Sequence, residues 1–283
     1  MKREIEFVKF NPTQNMTILV RTSHPLEEQP FIAARMMSYD HVHAEQVGFI
    51  ERPRRLQSAA HLQMAGGEFC GNACMSLAAY LASERGMIPN ETTEFVLETS
   101  GIDHFIVCQV KKVKEGYLCQ ITMPVPQKIE QKIVDYEGEE LKFVVVKYPG
   151  FFHLVVEVED ISTAMKKKAQ GLAKLLGATL EANIIGILLF KSDSNELAPL
   201  IYVPPLESMV WERGCGSGTA SLGAYLAWKN NGDISVAIAQ PGGTIHVTAT
   251  FGDNMVTHLS IEGSVGIVAD GRAFIELESE WGK

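Results

Sequence analysis

Two of the five cysteines, Cys70 and Cys215, open nearly identical stretches, Cys70-Gly-Asn-Ala-Cys-Met-Ser-Leu-Ala-Ala-Tyr-Leu-Ala82 and Cys215-Gly-Ser-Gly-Thr-Ala-Ser-Leu-Gly-Ala-Tyr-Leu-Ala227. Laid cysteine on cysteine, 8 of 13 positions are identical, at a separation of 145 in a chain of 283 residues. A repeat at about half the chain length signals two equivalent halves rather than a solenoid of short units. Two thiols can do a chemistry that one cannot. If one removes the α-proton from one face of a carbon acid and the other returns a proton to the opposite face, the centre inverts.

Each stretch must place its cysteine at the start of a helix. Leu77, Tyr80 and Leu81 fall at i, i+3 and i+4, as do Leu222, Tyr225 and Leu226. The residues between them are small or apolar, so both helices are expected to be buried. A cysteine at a helix amino end meets N–H groups and a dipole that favour the thiolate. Core packing is the competing reading for any single cysteine. Duplication of cysteine and helix together favours chemistry.

Composition narrows the classes. The chain has length for two domains, each with its own core. Its net charge of −9, with no basic block, argues against nucleic acid as a partner. The amino end carries early acids and lacks the apolar run of a secretory signal. No apolar run reaches the roughly 18 residues of a membrane span. An odd number of cysteines without Cys-x-x-Cys spacing reads as reduced thiols in the cytoplasm.

Along the chain, strands are expected at 5–10, 16–20, 45–51, 61–64, 95–98, 104–111 and 117–123, with a helix over 31–39. Pro124 and Pro126 close the first half. The second half echoes it, with a helix over 166–176 and strands at 184–190, 235–239, 244–250 and 256–261. Seven extra residues fall around Ser192 to Ser208, and a last strand over 273–278 could return to the first domain. The expected fold is α+β, with two pseudo-symmetric lobes, each a β-rich barrel-like sheet wrapped around one central buried helix. The lobes are assigned to residues 1–126 and 127–265, with 266–283 crossing back.

Two such lobes facing each other would aim two helix amino ends into one cleft, a setting for an anionic group such as a carboxylate. Charge spreading onto that carboxylate would then meet fixed donors, and one such donor is worth roughly 3 kcal/mol in other enzymes. No pyridoxal site is evident, and the two-thiol scheme needs no cofactor.

Glu68-Phe-Cys70-Gly-Asn-Ala and Trp211-Glu-Arg-Gly-Cys215-Gly-Ser-Gly-Thr resemble the paired motifs of the cofactor-independent diaminopimelate epimerase family. Phe7-Val-Lys-Phe-Asn-Pro-Thr-Gln-Asn-Met-Thr-Ile-Leu-Val20, Glu45-Gln-Val-Gly-Phe-Ile-Glu51 and Pro199-Leu-Ile-Tyr-Val-Pro204 are similar to its histidine racemase branch, which makes D-histidine for staphylopine-type metallophores. The resemblance covers most of the chain. It implies Cys70 and Cys215 as the catalytic pair, with Gly71-Asn72 and Gly216-Ser217 as loop amides on the substrate carboxylate. It implies Asn15, Gln46 and Asn183 as polar substrate contacts, His153 as a polar cleft residue, and Glu212 as a partner for the substrate ammonium. The approach Gly66-Gly67-Glu68 is shorter than in diaminopimelate epimerases, and Glu212-Arg-Gly runs straight into Cys215. Both departures affect the substrate's distal end, so a second carboxylate is not expected to be read.

Other readings stand beside these. Asn15 also suits a turn, Gln46 and Asn183 also suit strand edges, and His153 in its apolar run also reads as a core histidine. Glu212 could pair with Arg213, and Glu68 reads as a solvated carboxylate that would raise the Cys70 thiol. Cys74, Cys108 and Cys119 are assigned to packing. His41-Val-His43 lacks a third ligand nearby and is assigned a structural role. Lys166-Lys-Lys168 reads as a solvated face. The partner is thus a small amino acid, with diaminopimelate epimerase as the alternative activity. A non-catalytic anion binder is the alternative of another class. A homodimer is the commonest assembly for a soluble oligomer.

Overall fold

A computed structural model describes residues 2–180 and 182–276. The chain divides into two compact units, Met1–Ile121 with Gly263–Lys283, and Thr122–Glu262. Strands dominate, with four α-helices and one short 3-10 turn among the described residues.

The first unit contains β1 (Lys2–Pro12), β2 (Thr17–Val20), α1 (Gln29–Met37), β3 (Gln46–Glu51), β4 (Ala60–Met64), α2 (Gly71–Glu84), β5 (Thr92–Thr99), β6 (Ile106–Lys112) and β7 (Tyr117–Thr122). Successive pairings run antiparallel for β1–β2, parallel for β2–β3, antiparallel for β3–β4, parallel for β4–β5, then antiparallel for β5–β6 and β6–β7. Helix α2 packs on β1, β2, β3, β5 and β6. Its first nine residues, Gly71 to Ala79, are all buried. Small side chains let strands close on it from several sides, and each fully buried large apolar residue such as Leu77 contributes roughly 1.5–3 kcal/mol. A separate apolar layer joins Ile32, Ala33 and Met36 of α1 to Ile5, Ile18, Val20 and Phe49 of the strands. Pro30 at the start of α1 suits a first helical turn, where its missing N–H has no partner to lose.

The second unit contains β8 (Lys128–Tyr136), β9 (Glu139–Tyr148), β10 (Phe151–Glu157), α3 (Thr163–Thr179), β11 (Ile184–Lys191), β12 (Glu196–Val203), β13 (Ser208–Trp211), α4 (Gly216–Asn230), β14 (Ile234–Gln240), β15 (Gly243–Gly252) and the start of β16 (Met255–Glu276). From β9 to β16 the pairings β9–β10, β10–β11, β11–β12, β12–β14, β14–β15 and β15–β16 follow the same succession as in the first unit. Helix α4 packs on β9, β10, β11, β14 and β15. Helix α3 covers the other apolar face, with Ala169, Leu172 and Ala173 against Leu154, Ile187 and Leu189. Ser162 starts it by accepting the Met165 N–H at 3.2 Å.

From Val265 to Glu276, β16 pairs antiparallel with β1. The last two residues of the strand expected over 273–278 lie outside the described residues.

Candidate active site

Both repeated cysteines are helix N-caps. In the first unit the sulfur of Cys70 accepts the Ala73 N–H at 3.4 Å, and in the second the sulfur of Cys215 accepts the Gly218 N–H at 3.2 Å. Neither first turn carries an acidic residue. A helix start directs N–H groups out of its end, here those of Gly71-Asn72 and Gly216-Ser217. Each unit therefore sets a sulfur beside donors suited to a carboxylate.

In the first unit Gln46 meets Cys70, which Gly71 and Asn72 follow in the chain, while Asn15 lies two residues before the Thr17 that pairs with Gln46. Thr17 registers with Gln46 across β2–β3, and the Met16 carbonyl accepts the Glu45 and Gln46 N–H groups at 2.9 and 3.3 Å. The Gln46 side-chain oxygen hydrogen-bonds the Cys70 sulfur. Asn15 is fully buried, and neither atom of its side-chain amide has a hydrogen-bond partner among the described residues. It follows a turn in which Thr13 and Gln14, neither a glycine, hold φ of +50° and +59°, closed by Asn15 N–H on the Pro12 carbonyl at 3.0 Å. Backbone strain of this kind, of order 1–3 kcal/mol per residue, collects at functional sites.

The approach to Cys70 is braced from behind. The Ser100 hydroxyl donates to the Glu68 carbonyl at 2.8 Å and accepts the Met64 N–H at 3.0 Å. Gly101, at φ +80°, lies so close that a Cβ there would come within 2.3 Å of the Phe69 nitrogen. Glu68, read from the sequence as solvated, is partly buried instead, and burial raises its carboxyl above the ordinary range.

In the second unit the Cys215 sulfur is buried and has the Ser217 hydroxyl at 3.6 Å. Burial, then the charge and hydrogen bond of Glu212, push this thiol well up. Glu212 is placed by its own N–H, which donates to the Pro199 carbonyl at 3.0 Å. Gln240, at the end of β14, carries no local sequence signal and lies 25 residues away in the chain. Its Oε1 accepts the Cys215 N–H at 2.8 Å, and its Nε2 donates to the Thr219 hydroxyl at 2.7 Å.

His153 belongs to β10, and Asn183 immediately precedes β11. His153 is 1% exposed, with Nδ1 at 2.7 Å from the Ser221 hydroxyl, which donates to the Tyr148 hydroxyl at 3.1 Å. Its ring covers Gly186, where a Cβ would come within 2.1 Å. Asn183 is exposed in a cleft of about 580 Å3 with the carboxyl end of α3, Pro204 and Pro205.

Burial lowers the His153 imidazole to about 4. The unfolded imidazole titrates near 6.5, so the unfolded chain binds the extra proton first as pH falls. Stability contributed by neutral His153 is therefore complete above about pH 6.5 and lost as pH falls toward 4, by roughly 3 kcal/mol. Urea unfolding from pH 7.5 to 4 is expected to show this acid loss, and His153→Gln is expected to flatten it. An unchanged acid limb in the variant refutes the assignment.

Among the described residues no group of three or more His, Cys, Asp or Glu side chains is placed to hold a metal ion. No described helix is long and apolar enough to cross a membrane.

Comparison with known proteins adds a family. The family model described as histidine racemase CntK N-terminal domain matches residues 4–274. A histidine racemase of Staphylococcus aureus is 32% identical over 277 residues, covering 97% of this chain and 99% of the relative. One from Fusobacterium nucleatum subsp. nucleatum is 31% identical over 274 residues, covering 96% and 97%. Among solved structures, a hydroxyproline epimerase from Agrobacterium vitis with bound trans-4-hydroxy-L-proline shares the fold. Its TM-score is 0.73 at 12% identity, over 98% of this chain and 94% of that one.

Proposed function

This chain belongs to the CntK histidine racemase family and is an isomerase, and from that premise we propose that it interconverts L- and D-histidine without a cofactor, using Cys70 and Cys215 as a pair of acid–base groups. The observation that carries this reading is that each duplicated cysteine caps a buried helix whose first-turn amides suit a carboxylate. A thiolate at one cysteine takes the α-proton, breaking C–H and forming S–H. The carbanion's charge spreads onto the substrate carboxylate, held by the Gly71-Asn72 and Gly216-Ser217 amides. The thiol of the other cysteine then delivers its proton to the opposite face, and the reverse reaction exchanges the roles.

Asn15 supplies an amide whose hydrogen bonds the substrate completes, an assignment supported by its burial without a partner. Glu212 is assigned to the substrate ammonium and to the Cys215 thiol together. Like pairing successions and the repeated cysteine helix support two pseudo-symmetric lobes of the diaminopimelate epimerase type. Five free thiols support a cytoplasmic setting. The similarity of residues 7–20, 45–51 and 199–204 to the histidine racemase branch supports D-histidine supply for opine-type metallophores.

The test is incubation of L-histidine and of diaminopimelate in deuterated water, read by mass spectrometry and chiral separation. D-Histidine carrying one α-deuterium is the expected product, with no exchange in diaminopimelate. Exchange in diaminopimelate alone would transfer the assignment to an epimerase, and exchange in no amino acid would end the racemase reading.

A further inference from the structure

Cys215 is held at both of its peptide groups. Its N–H donates to Gln240 Oε1 at 2.8 Å, Gln240 Nε2 donates to the Thr219 hydroxyl at 2.7 Å, and that hydroxyl donates to the Cys215 carbonyl at 2.6 Å. The three bonds close a ring through one glutamine and one threonine. A hydroxyl has a single hydrogen, and here the Cys215 carbonyl takes it, so the group facing Thr219 must be a donor. The nitrogen end of Gln240 therefore lies at Thr219, and its oxygen end lies on the Cys215 N–H. Both contacts demand the same orientation of the amide.

The ring replaces a device that helices usually build locally. The N–H of an N-cap residue is commonly satisfied by a Glu or Gln side chain at the third helical position. That position is Gly218, where a Cβ would come within 3.0 Å of both the Cys215 sulfur and Leu188. A side chain there would crowd the sulfur off the Gly218 N–H that it accepts. The acceptor comes instead from the end of β14. The turn that follows adds two bonds to the same segment: Gly242 N–H donates to the Arg213 carbonyl at 2.6 Å, and the Arg213 guanidinium to the Pro241 carbonyl at 3.2 Å. Holding the N–H and the carbonyl fixes both backbone dihedrals of Cys215, at φ −104° and ψ 107°. One rotation, about Cα–Cβ, remains to the sulfur, and the Gly218 N–H sets it.

We propose that Gln240 is a positioning residue for proton transfer at Cys215, acting through the backbone of that cysteine with Thr219 as its relay. The inference rests on the two-thiol reading above. Thr219 is fully buried and Cys215 is 1% exposed, so water has little access to replace a lost partner. In the first repeat the position of Thr219 is held by Cys74, and the ring bears on Cys215 rather than on Cys70. Gln240 thus governs one of the two transfers: proton removal from one enantiomer of the substrate and proton delivery to the carbanion formed from the other.

The test uses the full-length protein and histidine of each configuration, with hydrogen or deuterium at the α-carbon. Gln240→Leu and Thr219→Val are each expected to lower kcat by about ten- to a hundredfold, the scale set by a displacement of about 1 Å. The double variant is expected to lose little more, because the two side chains form one ring. Thr219→Ser keeps the hydroxyl and is expected to stay close to wild-type turnover. Isotope effects separate positioning from a loss of folded enzyme, since they do not depend on how much active protein is present. In Gln240→Leu the step at Cys215 becomes the slow one in both directions. The α-deuterium effect is therefore expected to rise for the enantiomer whose proton Cys215 removes, and to fall for the enantiomer whose proton Cys70 removes. Isotope effects that Gln240→Leu leaves at their wild-type values in both directions overturn the proposal, as does Thr219→Ser as slow as Thr219→Val. A wild type that racemises histidine, with Cys215→Ser inactive and Gln240→Leu at full speed, removes this proposal alone. A wild type that exchanges no α-proton ends the racemase reading and this proposal with it.

Discussion

Replacing Cys215 with serine is expected to lower α-proton exchange and racemisation of L-histidine by about a hundred- to ten-thousand-fold, the range set by loss of a positioned acid or base. A serine hydroxyl titrates far above a thiol and cannot exchange protons with a carbon acid at neutral pH. The fold is expected to persist, because serine is itself a strong N-cap and can accept the Gly218 N–H as the sulfur does. KM is expected to change little, since the amides on the carboxylate are unaltered. Cys70→Ser is expected to behave alike, and the double variant to lose little beyond either single one, because the two groups act as a unit. Chiral chromatography of the product and a thermal melt of each variant check this. Wild-type turnover in either serine variant would remove the two-thiol mechanism.

The largest expected effect on stability is at Gly101. A methyl group there would meet backbone, with the Phe69 nitrogen at 2.3 Å and the Glu68 carbonyl carbon at 2.6 Å. No rotamer change relieves such a clash. Positive φ adds its own cost for any residue with a Cβ. Together these give about 3 kcal/mol, a fall in melting temperature of roughly 6–12 °C. Gly67 is the control. It also has positive φ, of +75°, but nothing lies within 4 Å of its missing Cβ, so Gly67→Ala is expected to cost only about 1 kcal/mol. Differential scanning calorimetry of the two variants separates the effects, and equal losses would show that contact with the Cys70 approach is not what Gly101 provides. Activity should fall with Gly101→Ala beyond the fraction unfolded, because the displaced residues lead straight into Cys70.

The cysteine helices were legible because two signals coincide in a short stretch: a small-residue opening and apolar spacing, repeated. Helix α3 was legible in its centre through Ala169, Leu172 and Ala173, the residues it buries. The β8–β9 hairpin was not. Most of β8 is exposed on both faces, so neither alternation nor an apolar run marks it, and pairing with β9 alone organises it. Strand β12 was obscured by Pro199, which cannot donate to a ladder. It is tolerated because its carbonyl is the useful group, accepting the N–H of Glu212.

Site residues divide in the same way. Gln46 was legible as a polar break in an apolar strand, although its contact is to sulfur. Gln240 and Ser100 were not, since each reaches the cysteine loops from a separate strand end, and only the folded chain brings them there. His153 kept two readings in the sequence, and its surroundings are those of a core residue: burial, a serine partner and a glycine beneath the ring.

The pairing of β16 with β1 makes the first unit discontinuous in the chain, whereas the second is one unbroken segment. As the polypeptide leaves the ribosome, β1 emerges before the whole of the second unit and its antiparallel neighbour after it. The middle of the chain therefore has its full complement of strands first, while the amino-terminal segment waits with one long edge open. Nascent-chain quality control would meet that unfilled edge, and the thiol at position 70 is the one that matures last.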